Sequence, residues 1–373
     1  MTNENNLNVE EVATAANVEE VTAEVTDSSS EVVATEKSEK PKFNWDDFRK
    51  NVKQFKRKIK FDKWKAWIYL LPALVLLAIF TVWPIINTLR MAFLDDYCKA
   101  EEVKNGISYF SFGIQNFVNV VAFKDFGICL KNTVLLCVLT VPISTVLALL
   151  ISVALNSIKP LQRFLQTIFF LPYVTNSIAI GMVFTAMFSI VGNTVGGFDA
   201  STVKTLGIIN NVVVALGFDP INWMNSGSSY AANITVLVIY IVWNALPFKI
   251  LVLLGGLQSI NKQYYEAAKV DGTSRTRIFT RITVPLLSPM IVYVVITGFI
   301  GGFKEYTSIV GIFGPKMGPV GAAGSLNTMV GYIYESLKYN SEGTASAAAL
   351  ILFAIILVVT LINLRVSKKK THY

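Results

Sequence analysis

Long runs without a charged side chain recur six times along this chain of 373 residues. They cover residues 66–89, 132–158, 164–198, 220–248, 282–303 and 343–364. A helix needs about 20 mostly apolar residues to cross the roughly 30 Å of hydrocarbon in a bilayer, so each run can hold one crossing. The third run is too polar after Gly192 to hold two, and the fourth is strongly apolar only from Ala231. The pattern predicts an all-α integral membrane protein with six transmembrane helices.

The composition agrees with this prediction. The chain is 53% hydrophobic and 16% charged, with a mean hydropathy of +0.51, which exceeds what a water-soluble core requires. Its net charge of +8 is a possible sign of nucleic-acid binding, but the basic residues adjoin the apolar runs instead of lining one soluble face. We therefore expect no nucleic-acid partner.

Cysteine and histidine are too few and too scattered to predict a metal site. The three cysteines and the single histidine, His372, lack metal-ligand spacing. Cys98 and Cys129 share a predicted outer loop, where they either pair or serve as two small buried apolar side chains. The second alternative is favoured.

The distribution of Lys and Arg predicts the orientation in the membrane. Nine lie between Arg49 and Lys65, six between Lys249 and Arg281, and four after Leu364, and these flanks share one side of the predicted spans. Short basic loops remain cytoplasmic. We therefore expect a multi-pass protein of the plasma (inner) membrane with both termini in the cytoplasm.

Composition divides the chain into four parts. Residues 1–42 contain ten acids against three lysines and no aromatic residue, which predicts a disordered acidic cytoplasmic tail. Residues 43–65 interleave aromatic and basic residues and predict an interfacial helix; it either binds anionic membrane lipid or only fixes the topology, and the second is favoured. Residues 66–367 form the six-span domain, and 368–373 form a basic cytoplasmic C-terminus.

The basic loop between the fourth and fifth spans predicts a helix, a glycine and a second helix on the cytoplasmic face. Asn261 can cap the first helix, Gly272 can end it in the left-handed conformation, and Thr273 or Ser274 can cap the second. Small alanines, two tyrosines and an acid suit the docking of another protein. Taken alone, the loop is either such a docking site or an ordinary cytoplasmic loop.

A family signature resolves these alternatives. The loop resembles the signature of binding-protein-dependent ABC importer permeases, because Glu266-Ala267-Ala268 is followed at the family's spacing by Gly272, Ile282 and Pro285. Val284 replaces the family's leucine, and Asn261 replaces its usual proline. The resemblance covers about 65–367 and is similar to the maltose-type branch. Its further segments are FGIQNFVNVV at 112–121, FLPYV at 170–174, VWNALPF at 242–248, LQSINKQYYEAAKVDG at 257–272, and 327–349; IFGPKMGP at 312–319 matches less well.

The resemblance implies a type I ABC importer permease that translocates a sugar, an oligosaccharide in this branch, without enzymatic activity of its own. Its partners would be a second homologous permease, two ATP-binding subunits and an extracytoplasmic sugar-binding protein. ATP and Mg would bind the partner subunits, since this chain has no GxxxxGK[ST] phosphate loop. The residues assigned to contact with the ATP-binding subunits are Tyr264, Tyr265, Glu266, Ala267, Ala268, Asp271, Gly272, Ile282 and Pro285.

Polar residues within the spans are the candidates for a substrate pathway, since they are costly to bury in a membrane. The first four are Asn176, Tyr240, Asn244 and Asn363, and interhelical hydrogen bonding is the favoured alternative for each. Lys304 and Glu305 are expected to form a gate or interface pair at the outer end of the fifth span.

Three other functions remain as alternatives. The chain could be an ABC permease for another solute such as glycerol phosphate, or an ion-coupled secondary transporter. The latter is disfavoured because no carboxylate lies within the six uncharged runs. A membrane scaffold for an enzyme would retain the docking loop but need no polar pore.

Overall fold

The computed structural model describes Lys50, Lys65 and residues 67–107, 110–158, 162–192 and 203–370. The predicted acidic tail and most of the predicted interfacial segment lie outside the described residues, as do the last three residues of the C-terminus. The chain divides into two compact units, residues 1–73 and 74–373. Every contact reported below belongs to the second unit.

The described part is helical apart from one small sheet. In chain order its elements are α1 (Trp67–Ala92), α2 (Lys99–Asn105), α3 (Gln115–Ala122), α4 (Phe126–Ser157), α5 (Gln162–Val174), α6 (Ser177–Phe188), β1 (Ile190–Gly192), β2 (Val203–Leu206), α7 (Ile208–Ala215), α8 (Tyr230–Ser259), α9 (Lys262–Val270), α10 (Arg275–Gly302), α11 (Thr307–Phe313), α12 (Met329–Lys338) and α13 (Glu342–Lys370).

Five of these helices are long and apolar enough to cross a membrane: α1, α4, α8, α10 and α13. The predicted third span is divided into α5 and α6, which are separated by Thr175 and Asn176. The side chain of Asn176 starts α6 by accepting hydrogen bonds from the backbone N–H groups of Ile178 and Ala179. Five of the six predicted crossings are therefore present as continuous helices in the predicted order, and the third corresponds to the divided pair α5 and α6.

The first strand of the sheet lies within the third uncharged run, and the second strand follows that run. β1 and β2 are antiparallel, with Ile190 opposite Leu206 and Val191 opposite Thr205. The prediction of a wholly helical fold did not include this hairpin. It directly follows α6, where the sequence is no longer apolar enough to continue a membrane helix.

The centre of the fold is the pair α4 and α8, which pack along much of their length. Both are apolar on all sides, as expected for helices surrounded by other helices or lipid. Cys129 and Cys137 are buried in α4 as free thiols, and Cys98 is also free. The structure thus agrees with the interpretation of Cys129 as a small apolar side chain and places it in a helix, not in the predicted outer loop.

Asn132 of α4 holds the loop that precedes α12 by hydrogen bonds. Its amide donates to the carbonyls of Ser325 and Asn327 at 3.0 and 2.8 Å, and its oxygen accepts from the Tyr230 hydroxyl at 2.6 Å. These bonds connect three separate parts of the chain. They hold the loop against α4 and the start of α8.

Replacing Asn132 by alanine should lower stability by roughly 1–3 kcal/mol, because it leaves partners of a buried amide unpaired. Thermal unfolding in detergent, followed by circular dichroism, measures the change. Thr235→Ala is the matched control, since the exposed Thr235 hydroxyl bonds only to the carbonyl of Ala231 within the same helix. Equal melting temperatures for both variants would contradict the fastening role of Asn132.

Candidate functional site

The loop between α8 and α10 forms a sharp elbow. The Asn261 side chain accepts a hydrogen bond from the N–H of Gln263 at 3.0 Å and so caps α9. Gly272 has a φ of +65°, and the next N–H, that of Thr273, donates to the carbonyl of Ala268 at 2.9 Å. The cap and the left-handed glycine therefore lie where the sequence predicts them.

The second half of the elbow differs from the prediction of a short separate helix. Ser274 precedes it, but its side chain makes no capping hydrogen bond. The helix continues from Arg275–Ile278 through a π-helical turn, Phe279–Thr283, into Val284–Gly302. The elbow is thus the beginning of the membrane helix α10, so a displacement of the elbow acts directly on this span.

The residues assigned to ATPase contact divide into an outer and an inner face. Tyr264 is 56% exposed, Glu266, Ala267 and Asp271 are exposed, and Glu266 makes no hydrogen bond or ion pair within the described part of the chain. Ala268 is buried, and the hydroxyl of Tyr265 lies 3.3 Å from that of Thr283. Tyr265 is partly exposed and its hydroxyl also joins α9 to α10, so its contact with an ATP-binding subunit stays a prediction.

A groove of about 680 Å³ runs along this elbow. Tyr264, Ala267, Asp271 and Ile282 line it, together with Arg277 and Arg281, which the sequence assignment did not include. Pro285 is exposed but does not line the groove. The groove combines small, aromatic and charged groups, as surfaces that bind other proteins do.

A second cavity, called the central cavity below, lies among the membrane helices. It has a volume of about 320 Å³ and is lined by residues of α4, α5, α8 and α10 and by Glu305. Tyr173 and Phe248 form an aromatic wall with ring centroids 6.2 Å apart, while Thr140, Asn244 and Thr297 supply polar groups. A mainly apolar cavity with a few polar groups is the usual form of a small-molecule site.

Lys249 forms part of the same cavity wall, although its residue is only 4% exposed. Its ammonium donates to the hydroxyls of Ser144 and Thr145 at 2.6 and 3.0 Å and to the carbonyl of Val141 at 3.2 Å. A Cβ added at Gly298 would lie 3.2 Å from the lysine nitrogen, so the glycine permits α10 to approach it closely. The orientation prediction counted Lys249 among the cytoplasmic flanking residues, whereas the structure buries it between three helices.

The four predicted pathway residues lie in different places. Only Asn244 lines the central cavity. Tyr240 is fully buried and donates to the carbonyl of Ser177 at 2.6 Å, which is an interhelical bond of the kind favoured as the alternative. Asn176 caps α6, and Asn363 belongs to α13, where its side-chain nitrogen is buried without a hydrogen-bond partner among the described residues.

The side chains of Lys304 and Glu305 also lie in different environments. Lys304 is exposed, whereas Glu305 lines the cavity and accepts a hydrogen bond from the N–H of Ser308 at 3.2 Å. No ion pair joins them within the described ranges. Removal from water raises the pKa of the Glu305 carboxyl above its ordinary value, which favours the neutral acid.

Comparison of the sequence with models of known protein families identifies the family of this chain. Residues 137–372 match the model of the family described as "binding-protein-dependent transport system inner membrane component". The chain belongs to this family. The permease is therefore a multi-pass membrane component of an ABC transport system, as the loop signature predicts.

Individual relatives extend the match beyond the family model. The arabinooligosaccharides transport system permease protein AraP of Bacillus subtilis is 29% identical over 304 residues, covering 81% of this chain and 88% of the relative. The lactose transport system permease protein LacF of Rhizobium radiobacter is 28% identical over 301 residues, covering 80% and 91%.

The fold has a counterpart among solved structures. A chain of a bacterial ABC transporter involved in the import of the acidic polysaccharide alginate superposes with a TM-score of 0.66 at 22% identity. The match covers 86% of the permease and 100% of the other chain. The order of spans described above, including the divided third span, is thus compatible with an ABC permease fold.

Proposed function

We propose that the permease translocates an oligosaccharide through the central cavity as one of two homologous transmembrane subunits of an ATP-driven importer. Two ATP-binding subunits dock on the elbows of the two permeases and hydrolyse ATP with Mg. An extracytoplasmic binding protein delivers the sugar. The chain itself binds no cofactor and catalyses no reaction.

The observation that supports docking is the exposed face of α9. Glu266 presents a carboxylate with no partner in the described part of the chain, beside a groove that includes Tyr264 and Ala267. A buried aromatic anchor and a charge with a complementary partner are typical of strong protein contacts. The elbow is basic, with Lys269 in the last turn of α9 and Arg275, Arg277 and Arg281 at the start of α10, and we infer that this side and both termini are cytoplasmic.

The coupling mechanism follows from the continuity of α10. This helix begins at the elbow and reaches the cavity at Thr297 and Gly298. The distance along the helix is about 33 Å at about 1.5 Å per residue. When the ATP-binding subunits close and displace α9, α10 moves with it as a rigid rod, and the cavity opens alternately to the two sides of the membrane.

A sugar cargo is supported by two lines of observation. The names of the relatives refer to arabinooligosaccharides and lactose, and a second solved relative is an alginate transporter in complex with a periplasmic protein bound to an alginate pentasaccharide. The cavity also offers an aromatic wall and hydroxyl and amide groups, which suit the apolar faces and the hydroxyls of a sugar ring.

Affinity purification after mild detergent extraction tests the assembly. We expect the permease to bring down an ATP-binding subunit and a second permease, and we expect Glu266→Lys to lose the ATP-binding subunit while retaining the permease partner. A stable assembly without an ATPase would refute the proposal. Uptake that persists after ATP depletion but collapses with the ion gradient would instead favour a secondary transporter.

A further inference from the structure

The lysine in the membrane is not explained by the transport of a neutral sugar. Among the described residues that line the central cavity, Lys249 is the one basic residue, and it has no ion pair within the described ranges. Ionisable groups buried between membrane helices are costly and are generally retained for a function. The question is which chemistry uses its charge.

The surroundings of Lys249 hold the ammonium but do not neutralise it. Its three acceptors are two hydroxyls and a carbonyl of α4, all uncharged. The hydroxyls of Ser144 and Thr145 in turn donate to carbonyls of their own helix. This places a fixed positive charge in the cavity wall, where the low dielectric strengthens its attraction for an anion.

A purely structural role would not need the charge. A neutral side chain that hydrogen-bonds to Ser144 would also join α4 to α8, without the cost of removing an ammonium from water. Glu305, the one acid of the cavity lining, makes no ion pair with Lys249, and desolvation raises the pKa of its carboxyl. Lys249 is therefore left without a bonded countercharge among the described residues.

We propose that Lys249 binds an anionic group of the cargo, a carboxylate, phosphate or sulfonate, so that the permease carries an acidic oligosaccharide or a sugar ester of this kind. The proposal rests on the function proposed above. The bond from the ammonium to the carbonyl of Val141, the longest of the three at 3.2 Å, is the one that the anion replaces. Asn244, Thr297 and Tyr173 remain for the uncharged hydroxyls of the sugar.

Uptake into proteoliposomes that contain the complete transporter and its binding protein tests this assignment. Three radiolabelled probes are compared: trigalacturonate, maltose 6-phosphate and the neutral galactotriose. We expect the wild type to prefer one of the two anionic probes, and the preferred probe identifies the carboxylate or the phosphate as the source of the charge. Lys249→Met should lower its uptake by about 10- to 100-fold, as expected for the loss of a charge-assisted hydrogen bond.

Two control variants separate recognition from structure. Lys249→Arg keeps the charge and should keep the preference for the anionic probe. Lys104→Met removes an exposed lysine of α2 that does not line the cavity, and it should leave uptake unchanged. Membrane insertion and subunit assembly of each variant are checked by the affinity purification described above.

Wild-type uptake of galactotriose alone, or of none of the three probes, overturns the proposal, as does an equal loss of all uptake in an assembled Lys249→Met transporter. If Lys249→Met does not assemble, competition between labelled anionic and unlabelled neutral probes in the wild type decides. Absence of an ATP-binding subunit from the purified assembly is a separate result, which refutes the importer function itself.

Discussion

Gly272→Val should abolish coupled transport while the permease remains in the membrane. Gly272 has a φ of +65°, and a Cβ at this position would meet no atom within 4 Å. The substitution is therefore unfavourable because of the backbone conformation and not because of a steric clash. The left-handed conformation is least favourable for a β-branched residue. The elbow would then change shape, and uptake should fall more than about tenfold, since misplaced docking costs over 1.4 kcal/mol.

Gly272→Asn is the matched control for this experiment. Asparagine tolerates the left-handed region and should retain uptake near the wild-type level. ATP hydrolysis and uptake are measured together in proteoliposomes, and the ratio of sugar carried to ATP hydrolysed reports the coupling. If Gly272→Val and Gly272→Asn transport equally well, the left-handed turn is not required for coupling.

Gly181→Val should prevent the correct packing of α6 against α11. A Cβ on Gly181 of α6 would lie 2.7 Å from the carbonyl carbon and 2.8 Å from the Cα of Gly311 in α11. Both atoms belong to the backbone, so the clash cannot be relieved by turning a side chain. Overpacking of this kind should cost about 3 kcal/mol or more.

Size-exclusion chromatography and thermal unfolding in detergent measure the effect of Gly181→Val. Gly255→Ala in α8 is the control, because a Cβ there meets nothing within 4 Å and alanine favours a helix. The control should melt at or above the wild-type temperature. A monodisperse Gly181→Val protein with the wild-type melting temperature would show that α6 and α11 are not in close contact.

Much of the elbow could be predicted from the sequence because its determinants are local. Asn261 caps the residues directly after it, and Gly272 adopts a conformation that most other residues avoid. Such preferences act over a few neighbouring residues and do not depend on the rest of the fold. Tyr265 shows the limit, since the contact of its hydroxyl with that of Thr283 spans eighteen positions and is not a local property of the sequence.

The residues of the central cavity were predicted less well. Polarity within a span identified Tyr240 and Asn244 equally, yet one bonds to a neighbouring helix and the other lines the cavity. Lys249 was assigned to a basic flank because it directly follows an apolar run. A lysine at the membrane surface and a lysine buried between helices look the same in this respect. The direction in which a side chain points depends on the rotation and packing of its helix, which hydropathy does not report.

By itself, the sequence determined that the chain crosses a membrane, the order of its six crossings, the family signature and the capped elbow, because hydrophobic length and local backbone preference are properties of short segments. The tertiary structure alone decided that the third crossing is broken, that the elbow continues into α10 and that α4, α8 and α10 enclose a lysine beside a cavity. These features arise where distant segments meet, and only packing brings Val141, Ser144, Gly298 and Lys249 together.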